Sequence, residues 1–301
     1  MSVHASSERR SLTGFPAGVA DLAARYDGFL LDQWGVLHDG SRPYPRALAC
    51  LERMRQAGKA VIILSNSGKR GSENEATLAK LGFPRELYDH LVSAGDDARE
   101  ALTTRSEPGY CELGRNCLLL ARQGEEHLAD GLGLELTDDP ASADFILAMS
   151  MDPPLQSVAG WRPLLEPAAA RGIPMICANP DRYRVHADGR LHEAPGLVAQ
   201  AYEAMGGTVH YHGKPHARIY RTCLRLLGIP AARLLAIGDS LEHDVAGAAQ
   251  AGIDSAFIAG GIHRSELHWS PAGQVESESC QRLFARERCA PQFALPWFQW
   301  D

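Results

Sequence analysis

Phe29-Leu30-Leu31-Asp32-Gln33-Trp34-Gly35-Val36-Leu37-His38-Asp39-Gly40 runs three apolar residues straight into a carboxylate, with a glycine three positions further on. The pattern predicts a buried parallel strand that delivers Asp32 at its carboxyl end. Open α/β sheets hold their ligands in the crevice beyond such ends. An aspartate placed there can ligate a metal ion or attack an electrophile. It can equally cap a turn after a core strand, so the other strand ends decide between the two.

Outward from Asp32, Ala60-Val61-Ile62-Ile63-Leu64 predicts a second buried strand, running into the donor-rich loop Ser65-Asn66-Ser67-Gly68. Leu48, Leu51 and Met54 recur at helical spacing between the two, which makes a right-handed βαβ unit. A helix is expected over Glu73–Leu81, with Ser72 as its N-cap. Later, a strand over Thr208–Tyr211 leads into His212-Gly213-Lys214-Pro215. Leu234-Leu235-Ala236-Ile237 leads into Gly238-Asp239-Ser240, and Asp244 lies five residues past Asp239. A last short strand is expected at Ser255–Ala259. Between these pieces the strand–helix pattern restarts, with strands at Asn116–Ala121, Asp144–Ala148 and Ile173–Ala178 and a helix at Val158–Arg171. The turn Asn179-Pro180-Asp181 closes it. The expected fold is a doubly wound, Rossmann-like parallel-sheet core over residues 1–93 and 196–301, interrupted by a smaller α/β cap over 94–195.

Of the 301 residues, 45% are hydrophobic and 22% charged, which fits a soluble globular chain. A net charge of −7 excludes a non-specific nucleic-acid binder and offers no basic tract to an anionic membrane. No apolar run approaches the roughly 20 residues of a membrane span. Seven scattered cysteines without a CxxC pair fit reduced thiols, and Met1–Gly14 lacks the apolar core of a signal peptide, so a cytoplasmic location is expected. Trp269, Trp297 and Trp300 make the tail too aromatic to be free; it is expected to dock on its own core or on a second subunit in a homodimer.

Four strand ends thus offer Asp32, Ser65-Asn66, Lys214 and Asp239 with Asp244. These are the parts of a phosphoryl-transfer site: a carboxylate nucleophile, donors for phosphate oxygens, an ammonium to neutralise charge, and paired carboxylates for a hard divalent cation such as Mg²⁺. The order Asp-strand, Ser-strand, Lys, then Gly-Asp-Ser-x-x-x-Asp resembles the haloacid dehalogenase superfamily of aspartate-nucleophile hydrolases. The insert, the Asn179-Pro180-Asp181 turn and Gly213-Lys214-Pro215 resemble its class IIA, which includes phosphatases of sugar phosphates, nitrophenyl phosphate and pyridoxal phosphate.

The resemblance spans about residues 26–264. It implies Asp32 as nucleophile and metal ligand, the Trp34 backbone carbonyl and Asp239 as further ligands, and Asp244 behind the metal or Lys214. It also implies Ser65, Asn66 and Lys214 around the phosphate of a small metabolite. By family position, Asp181, Arg182, Tyr183 and His186 in the cap would select the substrate, or simply form a domain-boundary loop.

One departure matters. The superfamily's first motif is usually Asp-x-Asp, its second aspartate serving as general acid and base; here that position is Trp34. An indole cannot protonate a leaving group, and general acid–base catalysis is typically worth ~10²–10⁴-fold. Three outcomes follow: substrates with good leaving groups, a substitute such as His38 or Asp39, or a phospho-ligand sensor with little turnover. His210 and His212 share one strand face, but no third zinc ligand stands at a recognisable spacing, which favours an ordinary polar strand end.

Overall fold

A computed structural model describes residues 13–185 and 190–301. In chain order these form α1 (Ala20–Ala23), β1 (Gly28–Leu31), α2 (Ala47–Gln56), β2 (Ala60–Ser65), α3 (Gly71–Lys80), β3 (His90–Ser93) and α4 (Ala94–Thr104). There follow β4 (Asn116–Leu120), β5 (Glu135–Leu136), β6 (Phe145–Ala148), α5 (Val158–Arg171), β7 (Met175–Cys177), β8 (Tyr183–Val185) and β9 (Leu191–Glu193). The chain ends with α6 (Pro195–Ala204), β10 (Val209–Tyr211), α7 (Ala217–Leu227), β11 (Leu234–Gly238), α8 (Ala246–Gln250), β12 (Asp254–Ile258), α9 (Ser277–Glu287) and β13 (Phe293–Leu295).

Six parallel strands make the core sheet in the order β13-β12-β11-β1-β2-β3. Strand order departs from β1 in both directions, which is the doubly wound arrangement. Side chains alternate between two apolar layers, as a period of two requires. Phe29, Leu31, Val61, Ile63, Leu235 and Ile237 pack into one layer, and Leu30, Ile62, Leu64, Leu234 and Ala236 into the other. Burial on both faces explains why these strands read as unbroken apolar runs. The second sheet is parallel too, in the order β10-β7-β6-β4-β5, with Leu118, Ile146 and Met175 on one face and Cys117, Phe145, Leu147 and Ile176 on the other. β8 and β9 form an antiparallel hairpin.

Several elements differ from expectation. The strand at 208–211 was grouped with the resumed core, but β10 pairs with β7 as an edge of the second sheet. Its partially buried Val-His-Tyr sequence carries no signal for which sheet it joins. β3 was not anticipated, since it offers only Leu91 and Val92 between polar residues. The helix expected after Ser72 starts at Gly71, and its free N-terminus is met by the Glu73 carboxylate, which accepts from the Arg70 N–H at 3.2 Å. Asp244 sits within a π-helical turn, Leu241–Val245, that is capped by the Ser240 hydroxyl and leads straight into α8.

The tail docks on its own core. β13 adds to the sheet edge, Val19 and Ala20 donate to the carbonyls of Gln299 and Trp300, and Trp297 packs on Tyr44 and Trp269 at ring separations of 5.6 and 5.7 Å. No helix among the described residues is long and apolar enough to cross a membrane.

Candidate active site

Both parallel sheets point their carboxyl ends at one cleft of about 1100 Å³. From the core sheet come Asp32 after β1, Ser67, Gly68 and Lys69 after β2, and Asp239 and Ser240 after β11. From the second sheet come Arg122 after β4, Ser150 and Asp152 after β6, Asn179 and Asp181 after β7, and Lys214 after β10.

Lys214 is buried. Its Nζ lies 2.8 Å from Asp32 Oδ1 and 2.7 Å from Asp244 Oδ1. Burial alone would pull the ammonium pKa down, but the Asp244 and Asp32 carboxylates hold it well above the ordinary value. Burial pushes Asp32 above the usual carboxylate range, with Lys214 pulling against it and Asp244 adding to it. The 2.8 Å contact favours the ionised pair over a neutral one. Asp239 is raised too, first by burial, then by Asp32 and Asp244; the Ile262 N–H donates to its Oδ2 at 2.7 Å. Asp244 also accepts from the Ser240 N–H at 3.0 Å, which fixes the carboxylate that in turn holds Lys214.

Oxygens of Asp32, Asp239 and Asp244 lie within 4.8 Å of one another, the one cluster of three candidate ligands among the described residues. Three carboxylates, Asp239 and Asp244 buried and Asp32 partly so, beside a single ammonium leave an excess of negative charge. That excess, and an all-oxygen donor set, fit a hard divalent cation such as Mg²⁺. The backbone after Trp34 also closes on the cluster: Gly35 has φ +86°, and a Cβ there would stand 1.9 Å from Asp239 Oδ2. Only glycine permits that approach.

Ser65 and Asn66 are buried just below the cleft. The Ser65 hydroxyl accepts from Gln33 Nε2 at 2.6 Å and from the Ser67 N–H at 3.1 Å. Asn66 joins three elements: its Nδ2 donates to Asp181 Oδ1 at 2.8 Å and to the Lys214 carbonyl at 3.1 Å, and its Oδ1 accepts from the Lys214 N–H at 2.7 Å. Asp181 also lies 3.5 Å from His243 Nε2, and Arg182 pairs with Glu242 at 2.5 Å, so the loop after β7 is tied to the core. Tyr183 lines the cleft and is half-exposed. His186 lies outside the described residues.

Trp34 lines the cleft, its ring edge-on to His38 at 5.5 Å and pressed on Gly40, where a Cβ would stand 2.1 Å from the indole. His38 is 2% exposed, and its Nδ1 accepts from the Gly40 N–H at 2.9 Å. The proton of the neutral ring therefore sits on Nε2, which has no protein partner. Burial pushes the imidazole down to about 4. His38 is thus a neutral hydrogen-bond donor at pH 7 rather than a charged acid, and the Asp39 carboxylate is taken up by Ser41 and Arg42. His210 and His212 bind no common centre: His212 lies between Asp97 Oδ2 at 2.7 Å and the Tyr110 hydroxyl at 2.6 Å. Gln33 and Lys69 were given no role in the sequence, and Ser67 was read only as part of the donor-rich loop.

A family model described as haloacid dehalogenase-like hydrolase matches residues 29–135, and one described as HAD-hydrolase-like matches 211–277. Human chronophin is 28% identical over 262 residues, covering 83% of this chain and 86% of its own. The sugar-phosphatase AraL of Bacillus subtilis is 25% identical over 241 residues, covering 77% and 82%. The crystal structure of a haloacid dehalogenase-like hydrolase from Brucella suis superposes with a TM-score of 0.78 at 30% identity, over 93% of this chain and 98% of that one. With its strand-end carboxylates, buried lysine and inserted second sheet, the chain belongs to the haloacid dehalogenase-like hydrolase family.

Proposed function

We propose that this protein is a Mg²⁺-dependent phosphatase of a small phosphorylated metabolite, working through an aspartyl-phosphate at Asp32. The observation that carries the reading is the convergence of Asp32, Lys214, Asp239 and Asp244 at one cleft. A sugar phosphatase among the relatives is consistent with it. The residues to hold the cation are Asp32, Asp239 and the Trp34 backbone carbonyl, with Asp244 behind them. When bound, the cation neutralises the carboxylates and draws charge from the phosphate oxygens.

The chain's own residues supply the rest. An Asp32 oxygen forms the bond to phosphorus while the ester oxygen leaves with the electron pair. Water then displaces Asp32 and releases inorganic phosphate. Lys214 offsets the charge that collects between carboxylate and phosphoryl group, and Asp244 holds the ammonium in line. Backbone N–H groups and hydroxyls of the Ser65–Lys69 loop receive phosphate oxygens. Because Trp34 replaces the general acid and His38 is held neutral, the leaving oxygen departs largely unprotonated. Activated esters, acyl phosphates or anhydrides therefore react best, and simple alkyl phosphates slowly.

The inserted unit runs to about residue 211, since β10 belongs to its sheet. It excludes water and selects the substrate through Asp181, Arg182 and Tyr183. Phosphate release from aryl phosphates with and without Mg²⁺, repeated with Asp32→Asn, tests the reading. Activity surviving that substitution removes Asp32 as nucleophile. Tight ligand binding without phosphate release identifies a sensor instead.

A further inference from the structure

The cations lining the cleft are nearly all occupied. Lys69 pairs with Glu125 at 3.0 Å, Arg182 with Glu242, and Arg286 with Glu266. Arg264 has no carboxylate partner but lies over the Trp269 and Trp297 rings. Arg184, on β8, has neither: its buried Nε has no hydrogen-bond partner, and no ion pair joins it to a carboxylate among the described residues. Burial and the neighbouring charge of Arg122 both pull its guanidinium pKa down; Asp152 and Glu125 oppose them more weakly. Arg122 gives its Nε to the Met151 carbonyl at 3.0 Å and shares Glu125 at 4.0 Å, a carboxylate already engaged by Lys69 and the Ser150 hydroxyl. Two guanidinium groups thus line one cleft, Arg122 from the carboxyl end of β4 and Arg184 from β8, and the Glu125 carboxylate beside them is already shared with Lys69 and Ser150. Parallel sheets bind ligands at such carboxyl ends, and arginine forks suit planar or tetrahedral oxyanions.

We propose that the substrate carries a second anionic group, a carboxylate or a second phosphate, and that Arg184 with Arg122 receives it across the cleft from Asp32. The inference rests on the phosphatase reading and narrows its substrate class to bis-anionic metabolites. An alkyl phosphate with no second anionic group would leave the pair unsatisfied.

The test uses matched aryl phosphates in the Mg²⁺-loaded full chain. The 4-carboxyphenyl ester is compared with its neutral 4-carbamoyl isostere, and a 4-(phosphonomethyl)phenyl ester distinguishes a second phosphate from a carboxylate. Activity on phenyl phosphate tests the phosphatase reading itself, so its absence would overturn that reading and not the subsite. Given that activity, kcat/KM should favour at least one anionic ester over the carboxamide by about tenfold or more, the worth of a charged hydrogen bond. In Arg184→Gln the preference should fall towards one, and in Arg184→Glu it should invert in favour of 4-(aminomethyl)phenyl phosphate. Arg122→Gln serves as the second variant if either fails to fold by circular dichroism. Equal rates on all three esters in the natural protein, or a preference unchanged in folded variants, would overturn the proposal.

Discussion

Replacing Trp34 with aspartate restores a carboxylate to the position where the family's usual general acid stands, and the gain can be separated from the damage. The indole packs on Gly40 and against His38, so its loss loosens the 34–43 loop. A fully buried aromatic truncated in a core costs ~3–5 kcal/mol; for this partly exposed ring about 1–2 kcal/mol is expected. Trp34→Asn carries the same loss without a proton to give. The ratio of kcat between Trp34→Asp and Trp34→Asn on an alkyl phosphate therefore isolates proton transfer. It should reach ~10²-fold or more, equivalent to about 3 kcal/mol of barrier. On 4-nitrophenyl phosphate, whose leaving group needs no proton, the ratio should approach one. Phosphate release at several pH values measures both. Equal rates for the two variants on the alkyl ester, with folds intact by near-ultraviolet circular dichroism, would refute the argument that a missing acid limits this enzyme.

Further outcomes are expected. His38 has a folded-state value near 4, below the ~6.5 of the unfolded chain; the unfolded state binds the extra proton, so stability is lost as pH falls from 6.5 through 4. The full loss is about 3 kcal/mol, and His38→Gln should flatten that limb of urea unfolding measured against pH. Asn66→Leu removes three hydrogen bonds and strands the Lys214 N–H, and should cost ~2–4 kcal/mol in the same assay. Mg²⁺ at a hundred times its Kd should stabilise the protein by about 2.7 kcal/mol in thermal melts, and Asp239→Asn should abolish most of that gain; an undiminished gain would place the cation elsewhere.

Much of this was legible in the sequence because both faces of the parallel strands are covered. Runs such as Phe29–Leu31, Val61–Leu64 and Leu234–Ile237 are uninterrupted and end in chemistry. Helix α5 was readable to the residue because Ser157 caps it and Gly172 stops it. What stayed hidden depends on pairing at a distance. Nothing local in Val209-His210-Tyr211 says that it lies beside Met175–Cys177, or in Phe293-Ala294-Leu295 that it finishes an edge. Asn66 was read as a phosphate donor by position, whereas its bonds to Asp181 and Lys214 appear only once three loops meet. Arg122 and Arg184 follow no motif at all; that Arg122 shares Glu125 with Lys69, and that the Arg184 Nε has no partner, only coordinates reveal.

The pairing of Gly28 with Leu234, across most of the chain, also sets a timetable for synthesis. A ribosome adding roughly 5–20 residues per second exposes β1 and β2 many seconds before β11 emerges. All five strands of the second sheet, from Asn116 to Tyr211, are by then available to one another. The inserted unit can therefore assemble as a nascent chain while the sheet that carries Asp32 waits, its last edge withheld until β13 emerges.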